Sequence, residues 1–399
     1  MKNLETLIQE LCPDGVEFVK LGEVLGYEQP SKYIVKSKDY ITEGLPVLTA
    51  GQTFILGYTD ETDGVFHASA DNPVIIFDDF TTSFHWVEFD FKVKSSAMKM
   101  LRVNSEREVS FRFVYYAMKC IKYQSMEHSR QWISKYSQIE IPLPPLEVQT
   151  EIVRILDKFT SLEAELEAEL DCRKRQYEYY RDKLLSFENA GGQEVEWKKM
   201  SEVIYSINTG LNPRRFFRLN TPDATNYYVT IREMKNGNII FSDDTDKINN
   251  EAMKLCNNRS NLEKGDLIFS GTGTIGQIVV LKETPTNWNI KEGLYALKPI
   301  KEVIDSKFLA YILNESSIRK AYTKKALGGT VKSVPMKVLT SIKLPIPSLR
   351  EQQRIVSILD RFESLTTSLQ SGLPAEIAAR RQQYEYYRDK LLTFKRKAS

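Results

Sequence analysis

The sequence consists of two copies of one plan, and this internal repeat limits the chain to a fold with two similar halves. Near the start of each copy, VEFVKLGEV at residues 16–24 matches VEWKKMSEV at residues 195–203. Each copy closes on the identical segment QYEYYRDKLL, at residues 176–185 and again at 383–392. Chance does not produce such identity, so we expect both halves to share the same order of secondary structure.

The stretches between the matching segments differ in sequence but repeat a coarse pattern of strands and helices. Apolar runs bounded by turn residues, PVIIFDDF at 73–80 and DLIFSGTGTIGQIVVL at 266–281, predict buried strands. FRFVYYAMKCI and KFLAYILNESSI have the apolar spacing of short helices. We therefore predict the α+β fold class, with mixed α/β globules at residues 1–145 and 191–348.

A long helix is predicted after each globule, over residues 146–190 and 349–399. PLPP and PIP end the globules, because proline cannot continue a helix or a central strand. Apolar residues then follow at spacings of mostly three, four or seven, which is typical of a coiled-coil seam. The seam residues are Ile152, Ile155, Phe159, Leu162, Leu166, Leu170, Tyr177, Tyr180 and Leu184 in the first helix and Ile355, Ile358, Phe362, Leu365, Leu369, Ile377, Tyr384, Tyr387 and Leu391 in the second.

These two helices are expected to pair with each other as an antiparallel coiled coil, which gives the chain an internal pseudo-two-fold axis. A helix about 60 Å long is too long for burial in one ordinary domain and therefore needs a partner helix. Gly372 and Pro374 should break or kink the second helix, because both residues are poorly accommodated in a helix interior.

Composition and charge exclude several other classes of protein. Lys and Arg number 55 against 53 Asp and Glu, a net charge of +2, which is well short of the balance in a domain that coats nucleic acid over its whole surface. Four dispersed cysteines and three histidines predict neither a disulfide framework nor a metal site. We find no apolar run of membrane-spanning length and no signal peptide, so a cytoplasmic protein without membrane contact is expected.

The predicted architecture suits a protein that reads duplex DNA. Two-fold symmetric readers place two recognition elements one helical turn or more apart, and paired long helices would space two globules over such a distance. Because the globules differ in sequence, their half-sites should differ and be separated by an unread gap. The tandem tetrads AELE (164–167) and AELD (168–171) are predicted to set that gap. The alternative is that they are only a good helix-forming sequence.

The identical QYEYYRDKLL segments suggest two equivalent docking faces for one kind of partner. A coiled coil requires apolar residues only in its seam, yet these segments are identical at other positions as well. A recent duplication would also explain the identity. Basic residues collect at the same ends, where phosphate contact competes with the interpretation of a solvated helix face. They are Arg173, Lys174, Arg175, Arg181 and Lys183 in the first copy and Arg380, Arg381, Arg388, Lys390, Lys395, Arg396 and Lys397 in the second.

As a set, the repeated segments resemble the specificity subunits of type I restriction-modification systems. The resemblance is carried by IPLPPLEVQTEIVRILDKF and IKLPIPSLREQQRIVSILDRF, each followed by QYEYYRDKLL, together with VEFVKLGEV and VEWKKMSEV. It covers the whole chain in the family's order of variable domain, helical repeat, second variable domain and second helical repeat. Gly372 with Pro374 departs from a continuous second helix.

The resemblance implies a non-catalytic subunit. Each globule would read one half of a bipartite double-stranded DNA target, and the helices would bind two methyltransferase subunits. Restriction subunits with motor and nuclease activity would complete the complex. S-adenosylmethionine, ATP and Mg²⁺ are then expected on the partner subunits, with no cofactor on this chain.

Candidate DNA-reading residues are polar side chains near aromatic residues in each globule. A bidentate arginine reads guanine and Asn or Gln reads adenine, with about 1–3 kcal/mol of discrimination for each pair. The candidates are Gln52, Thr82, Ser83, His85, Arg130 and Gln131 in the first globule and Arg214, Arg215, Arg232, Thr272, Thr274 and Lys332 in the second. Asp78 and Asp79 either accept from cytosine amino groups or form a turn. Trp86 and Trp132 are predicted to be core residues.

Three segments resemble fragments of catalytic motifs. GTGTIG at 271–276 has the glycine spacing of a phosphate-binding loop, but Gln277 and Ile278 stand where Lys and Ser or Thr are required, so we predict a tight turn. DNPV at 71–74 lacks the second proline and the aromatic residue of an amino-methyltransferase signature. A loose metal-dependent nuclease pattern, easily met by chance, is formed by Pro222, Asp223, Glu233 and Lys235.

Three other functions stay open on the sequence. The same architecture could serve a fused methyltransferase-nuclease of another restriction class, which the copurifying subunits would distinguish. An enzyme that works alone is opposed by the missing catalytic motifs. A coiled-coil scaffold without a DNA role is compatible with the near-neutral net charge, and a gel shift with duplex DNA in the presence of the methyltransferase would decide it.

Overall fold

The computed structural model describes residues 4–51, 53–104, 106–123, 129–187, 195–367 and 372–398. The chain forms two compact units, Met1–Glu165 with Ala378–Ser399 and Leu166–Ile377. Each unit contains one globule and segments of long helix from both halves of the chain. The predicted domain boundaries follow the order of the sequence, whereas the compact units divide the helices between them.

The first unit contains two sheets, a strand pair and short helices. Its strands are β1 (Glu17–Lys20), β2 (Leu25–Glu28), β3 (Leu45–Leu48), β4 (Ile55–Thr59), β5 (Val74–Asp78), β6 (Phe84–Val87), β7 (Lys92–Val93), β8 (Met98–Val103) and β9 (Glu140–Leu143). Its short helices are α1 (Leu4–Leu11), α2 (Leu21–Val24) and α3 (Phe111–Lys119), with 3-10 turns at Pro30–Tyr33 and Tyr136–Gln138. The long helix α4 (Leu146–Ser186) begins in this unit and ends in the other.

The second unit contains the remaining strands and most of the remaining helices. The strands are β10 (Glu196–Lys199), β11 (Ile204–Thr209), β12 (Asn226–Val229), β13 (Met234–Lys235), β14 (Asn238–Ile239), β15 (Lys247–Ile248), β16 (Leu267–Ser270), β17 (Ile278–Val280), β18 (Trp288–Ile290), β19 (Leu294–Pro299) and β20 (Lys343–Ile346). The helices are α5 (Pro213–Phe216), α6 (Asn250–Ser260), α7 (Ser306–Asn314), α8 (Ser316–Thr323), α9 (Met336–Thr340) and α10 (Leu349–Thr367), with 3-10 turns at Met200–Glu202 and Ile231–Glu233. Helix α11 (Leu373–Leu391) begins here and ends in the first unit.

The two globules share one topology although their sequences differ. The antiparallel sheet β2-β8-β5-β6 of the first globule is repeated as β11-β19-β16-β17 in the second. The mixed sheet β4-β3-β7, in which β3 and β7 are parallel, is repeated as β15-β12-β18 with β12 and β18 parallel. The pair β1-β9 is repeated as β10-β20. The predicted fold class and the internal repeat are therefore confirmed.

The apolar runs form buried strands because each run packs on both faces of its sheet. In β5, Ile75 and Phe77 belong to one hydrophobic cluster, while Val74 and Ile76 belong to another. This alternation follows from the two-residue period of a strand. Strand β16 is buried at all four positions and divides its side chains between two clusters in the same way. A continuous apolar run is thus the expected sequence for either central strand.

Within each unit, segments of the long helices pack against each other, and two contacts in the first unit fix their antiparallel order. In the first unit the ring of Phe159 stacks on Tyr387 at 5.6 Å, and Arg381 lies 2.6 Å from Glu163, so one helix runs backwards along the other. In the second unit Tyr180 stacks on Phe362 at 5.9 Å. These contacts confirm the predicted antiparallel coiled coil.

Most predicted seam residues are covered to some degree. Ile152, Ile355 and Ile377 are buried. The half-buried ones are Ile155, Phe159, Leu166, Leu170, Tyr177, Leu184, Ile358, Phe362, Tyr384 and Leu391. Tyr180 and Tyr387 are exposed, at 39% and 36%, although their rings stack on the partner helix. The prediction is wrong for Leu162 and Leu365, which are 46% and 55% exposed. Each follows a seam phenylalanine by three residues and therefore lies about 60° around the helix, at the edge of the apolar stripe. Leu369 lies outside the described residues.

The predicted interruption of the second helix is confirmed. Helix α10 is described as far as Thr367 and helix α11 from Leu373, while residues 368–371 lie outside the described residues. Gly372 has a φ of +79°, and a Cβ atom at this position would lie 2.8 Å from the carbonyl oxygen of Leu365. Only glycine adopts this backbone without strain. In the part of the chain that the structure describes, no helix has the length and apolarity needed to cross a membrane.

Candidate nucleic-acid interface

In the first globule, the candidate residues gather where two loops meet. The turn between β5 and β6 packs against residues 129–132, and we call residues 78–83 with 129–132 the first loop pair. The side chain of Asp78 shapes the turn, because its Oδ1 accepts hydrogen bonds from the backbone of Phe80 and Thr81 at 2.9 and 2.8 Å. Thr82 has a φ of +61° in this turn. Asp78 is thus a turn residue, one of its two predicted roles.

The candidates of the first globule differ in accessibility. Arg130 is exposed and Ser83 is half-buried. Thr82 is buried and donates its hydroxyl hydrogen to the carbonyl of Thr81 at 2.7 Å. Gln131 is fully buried and donates from Nε2 to the Ser129 carbonyl at 2.7 Å. These side chains shape the loop pair, which leaves Arg130 as its exposed candidate. Gln52 lies outside the described residues.

His85 lies on β6 with its imidazole held from two sides. Nε2 is 3.0 Å from the Gly51 carbonyl oxygen, and the ring stacks on Phe54 at 4.6 Å. Desolvation by burial lowers the pKa of His85 below its usual value, which favours the neutral ring at neutral pH. Neutral imidazole that donates to a carbonyl keeps one ring nitrogen as an acceptor.

In the second globule, three candidates meet at the equivalent place. The turn between β16 and β17 packs against residues 327–334, and we call residues 270–277 with 327–334 the second loop pair. The hydroxyl oxygens of Thr272 and Ser333 lie 3.0 Å apart, and the backbone N–H of Gly273 donates to the Lys332 carbonyl at 2.9 Å. Thr274 and Lys332 are exposed. The GTGTIG segment is therefore a hairpin turn, as predicted.

The other arginine candidates lie on separate elements of the second globule. Arg214 and Arg215 are exposed on the short helix α5, next to Phe216, which is 53% exposed. Arg232 lies in a 3-10 turn, and its guanidinium is 3.0 Å from a carboxylate oxygen of Asp246. The exposed Phe216, directly after two arginines in the sequence PRRF, was not among the predicted candidates.

The two tryptophans differ in how deeply they are buried. Trp132 is 2% exposed and packs in the first globule's core, which confirms its prediction. Trp86 is half-buried and packs against the edge of the same core, with its ring 4.8 Å from the guanidinium carbon of Arg112.

The residues of the nuclease pattern are engaged in local structure. Asp223 accepts a hydrogen bond from the Asn249 side chain at 2.9 Å. Glu233 is buried and accepts from the backbone and hydroxyl of Thr230, both at 2.7 Å, which closes a capping box. Among the described residues we find no cluster of three or more His, Cys, Asp or Glu that could hold a metal ion.

Each globule is joined to its long helix by the same polar contact, which the sequence patterns did not reveal. The Tyr116 hydroxyl donates to Asp157 at 2.5 Å, and the Tyr311 hydroxyl donates to Asp360 at 2.7 Å. A cation from α3 or α7 reaches the same carboxylate, Arg112 at 2.9 Å in the first unit and Lys307 at 2.6 Å in the second. Burial raises the pKa of both tyrosines, so each remains a donor at neutral pH.

A buried glutamine forms a second repeated contact. Gln149 and Gln352 are both fully buried. Their Oε1 atoms accept from the backbone N–H of Ser110 and Asp305, the residues that cap α3 and α7, at 2.8 Å in each case. Their Nε2 atoms donate to the carbonyl of the proline five residues earlier, at 2.8 and 2.9 Å. Each glutamine thereby fixes the start of a long helix against its globule.

Replacing Gln352 by leucine should lower the free energy of unfolding by about 2–4 kcal/mol, because leucine has a similar size but leaves buried backbone groups without partners. Gln353→Leu is the matched control, since Gln353 is exposed on the same helix, and it should change the stability little. Urea denaturation of both variants measures the difference, and equal stabilities would contradict the assigned role.

The identical QYEYYRDKLL segments separate into inward and outward positions. Leu185 and Leu392 are buried. Asp182 accepts from the backbone of Ser316 at 3.2 Å, and Asp389 accepts from the Cys120 thiol at 3.6 Å, so each aspartate contacts the globule of its own unit. The outward positions are Glu178, Tyr179 and Lys183 in the first copy and Glu385, Tyr386 and Lys390 in the second. We call these two sets the tail faces.

Comparison with known proteins gives a consistent result. A family model for the type I restriction modification DNA specificity domain matches residues 13–171 and 193–379. The chain is 41% identical over 408 residues to the type I restriction enzyme EcoR124I/EcoR124II specificity subunit of Escherichia coli, covering 99% of this chain and 97% of that one. It is 31% identical over 410 residues to a putative type I restriction enzyme specificity subunit of Haemophilus influenzae, covering 99% and 100%.

Two solved structures share the fold at low sequence identity. The crystal structure of the type I restriction-modification system S subunit from M. genitalium has a TM-score of 0.51 and 16% identity, covering 95% of this chain and 96% of that one. A chain from a structural study of complex assembly and conformational transition of the type I R-M system has a TM-score of 0.52 and 18% identity, covering 95% and 98%.

Proposed function

Because the chain belongs to the family of type I restriction-modification DNA specificity subunits, we propose that it reads an asymmetric bipartite DNA target, one half-site with each globule. Specificity subunits are non-catalytic components of these systems. The proposal is carried by the first and second loop pairs. They occupy equivalent places in two globules of the same topology, but their residues differ. Equivalent position with different chemistry is what two unlike half-sites require.

The surface of each loop pair supports DNA contact. Arg130 is exposed in the first, and Lys332 and Thr274 are exposed in the second. Arginine and lysine bind phosphates or the guanine edge, and a threonine hydroxyl both donates and accepts. Local basic residues of this kind are compatible with the near-neutral charge of the whole chain, because only the contact surface has to match the duplex.

Two methyltransferase subunits are proposed to dock on the tail faces. Packing explains the identity of the apolar positions, and contacts with the globules explain the aspartates, but neither explains identical exposed Glu, Tyr and Lys. A recent duplication is opposed by nearby exposed positions, since Glu147 corresponds to Arg350 and Arg154 to Ser357 in the matching helix segments. Tyrosine is enriched among the residues that anchor protein interfaces, and each tail face exposes one.

The remaining subunits and cofactors follow from this assignment. Restriction subunits with motor activity would join the complex, with S-adenosylmethionine on the methyltransferases, and ATP and Mg²⁺ on the partners. The assembly would act on DNA in the cytoplasm. The chain itself supplies target choice and subunit placement.

Duplication of one globule tests the proposed function. Residues 195–348 are replaced by residues 16–145, so that the chain carries its first globule twice. In complex with the cognate methyltransferase, this chain should methylate a target made of two copies of the first half-site. Sequencing of methylated adenines in a randomised duplex library measures the result. The reciprocal chain, with the second globule twice, is the matched control and should select the second half-site only. A native target for either chimera would contradict half-site reading by the globules.

A further inference from the structure

A buried ion pair joins Asp79 of the first loop pair to Lys99 of strand β8. Asp79 is 1% exposed and Lys99 is 0% exposed, with Oδ2 and Nζ 3.4 Å apart. Neither of these two atoms has a hydrogen bond to the part of the chain that the structure describes. The ammonium group also lies 5.0 Å from the centroid of the Tyr27 ring. Such a pair adds little net stability, because removing both charges from water offsets their attraction.

The other carboxylate oxygen of Asp79 holds the second loop of the pair. Oδ1 accepts from the backbone N–H of Gln131 at 3.1 Å and of Trp132 at 2.8 Å. The Asp79 carbonyl accepts from Gln131 as well, at 2.8 Å. These contacts fix the backbone immediately after Arg130, the exposed arginine of the loop pair. Lys99 balances the charge of the carboxylate from β8, on the side of Oδ2.

In the second globule, different residues hold the equivalent loop. The strand registers place Phe77 opposite Lys99 and Phe269 opposite Tyr295, so Lys99 corresponds to Tyr295 and Asp79 to Gly271. The Tyr295 hydroxyl, which is buried, donates to the Val334 carbonyl at 2.8 Å. The Val334 N–H donates to the Gly271 carbonyl at 2.8 Å, as the Gln131 N–H does to Asp79.

Gly271 is required for this arrangement. A Cβ atom at residue 271 would lie 2.3 Å from the Tyr295 ring, so any side chain there would displace the tyrosine. The tyrosine thus passes through the space that the Asp79 side chain fills in the first globule. Its hydroxyl holds the backbone two residues after Lys332, the exposed lysine of the second loop pair.

We propose that Asp79 in the first globule and Tyr295 in the second are positioning residues that hold each loop pair in its DNA-reading geometry, so that each determines the specificity of its own half-site, while Lys99 balances the charge of the Asp79 carboxylate. The inference rests on the proposed function. It adds the identity of the buried groups that hold the DNA-reading loops in place. Asp79 accordingly holds the backbone of Gln131 and Trp132 within the loop pair and does not contact cytosine. The buried position of the ion pair, together with the two backbone contacts of Asp79 Oδ1, supports a positional role.

Two double variants isolate the contact made by Asp79. Asp79→Ala with Lys99→Met removes both charges and the acceptor, while Asp79→Asn with Lys99→Met removes both charges but keeps an acceptor oxygen for the loop. Neither leaves an unpaired buried charge, which is the main cost of breaking such a pair. In complex with the methyltransferase, the first variant should lose about tenfold discrimination against mismatches in the first half-site. The asparagine variant should retain it.

Tyr295→Phe provides the complementary measurement in the second globule. It removes one hydroxyl and keeps the ring that packs over Gly271. Mismatch discrimination should fall about tenfold in the second half-site and stay unchanged in the first. Each set of variants is therefore the control for the other, and methylation of a duplex library reads both half-sites in one experiment.

The outcomes separate the inference from the function on which it rests. A wild-type complex without a bipartite preference would contradict the proposed function, and with it the inference. A bipartite wild type, with equal discrimination in the alanine and asparagine double variants, would overturn the inference alone. Losses that affect both half-sites equally would also overturn it, since they would indicate general destabilisation. If the alanine variant fails to fold, Tyr295→Phe still decides the inference, because its loss of discrimination should be confined to the second half-site.

Discussion

A chain with a second AELE inserted after Glu167 should methylate targets whose gap is longer by one to two base pairs and should no longer methylate the native target. The structure shows α4 as an unbroken helix from Leu146 to Ser186 through both tetrads. Four added residues would lengthen that helix by about 6 Å and rotate it by about 40° beyond one turn, so the apolar stripe would keep nearly the same face. We expect methylation of the native target to be lost completely, because a half-site shifted by one base pair presents different groups to the same side chains.

Selection from a library with known half-sites and variable gaps measures this effect. Asp171→Glu is the matched control, because it makes the second tetrad identical to the first without changing the length. Glutamate also preserves a carboxylate for Arg175, which pairs with Asp171 at 2.8 Å. The control should select the native gap. An insertion chain that also selects the native gap would contradict the spacing role and leave the tetrads as helix-forming sequence only.

The double variant Tyr179→Ala, Tyr386→Ala should fail to hold either methyltransferase subunit, and each single variant should hold one. Both tyrosines are more than half exposed, at 61% and 63%, so their loss should not affect folding. An anchoring tyrosine at the centre of an interface contributes about 2 kcal/mol or more, which corresponds to about a 30-fold loss of affinity at each face. Native mass spectrometry of the purified complexes counts the bound subunits directly.

Tyr205→Ala is the matched control for the tail faces. Tyr205 is 70% exposed on β11, outside both tail faces, and its loss should leave two methyltransferases bound. If the double variant bound two methyltransferase subunits at native affinity, the identical exposed residues of the tail faces would reflect duplication and not docking. Loss of both subunits from a single variant would contradict independent, equivalent faces.

Much of the architecture could be predicted because its signals are local or periodic. The apolar runs at β5 and β16, the long helix α4 and the break before α11 follow from side-chain alternation, helical spacing and one glycine-proline pair. The internal repeat supplied the order of these elements. Burial of Leu156 and Leu359 was missed, although each follows a buried seam isoleucine by four residues and packs in the same hydrophobic cluster as that isoleucine.

The DNA-reading candidates could be predicted only in part. Choosing polar residues near aromatic ones selected Thr272, Thr274 and Lys332, which do meet in one loop pair. It also selected Gln131 and Thr82, whose buried side chains hold backbone groups. Residue type does not distinguish a polar group that faces water from one that satisfies a loop, because that distinction depends on packing between segments far apart in the chain.

The sequence by itself determined that there are two like halves, that each ends in a long helix with an apolar seam, and that the family is one of DNA specificity subunits. Those features are encoded by repetition and by spacing within single segments. Only the tertiary structure decided that Lys99 corresponds to Tyr295, that Asp79 holds a loop fifty residues away, and that the same two loops meet in both globules. Strand register and contacts between distant loops bring these residues together, and neither produces a periodic pattern in the sequence.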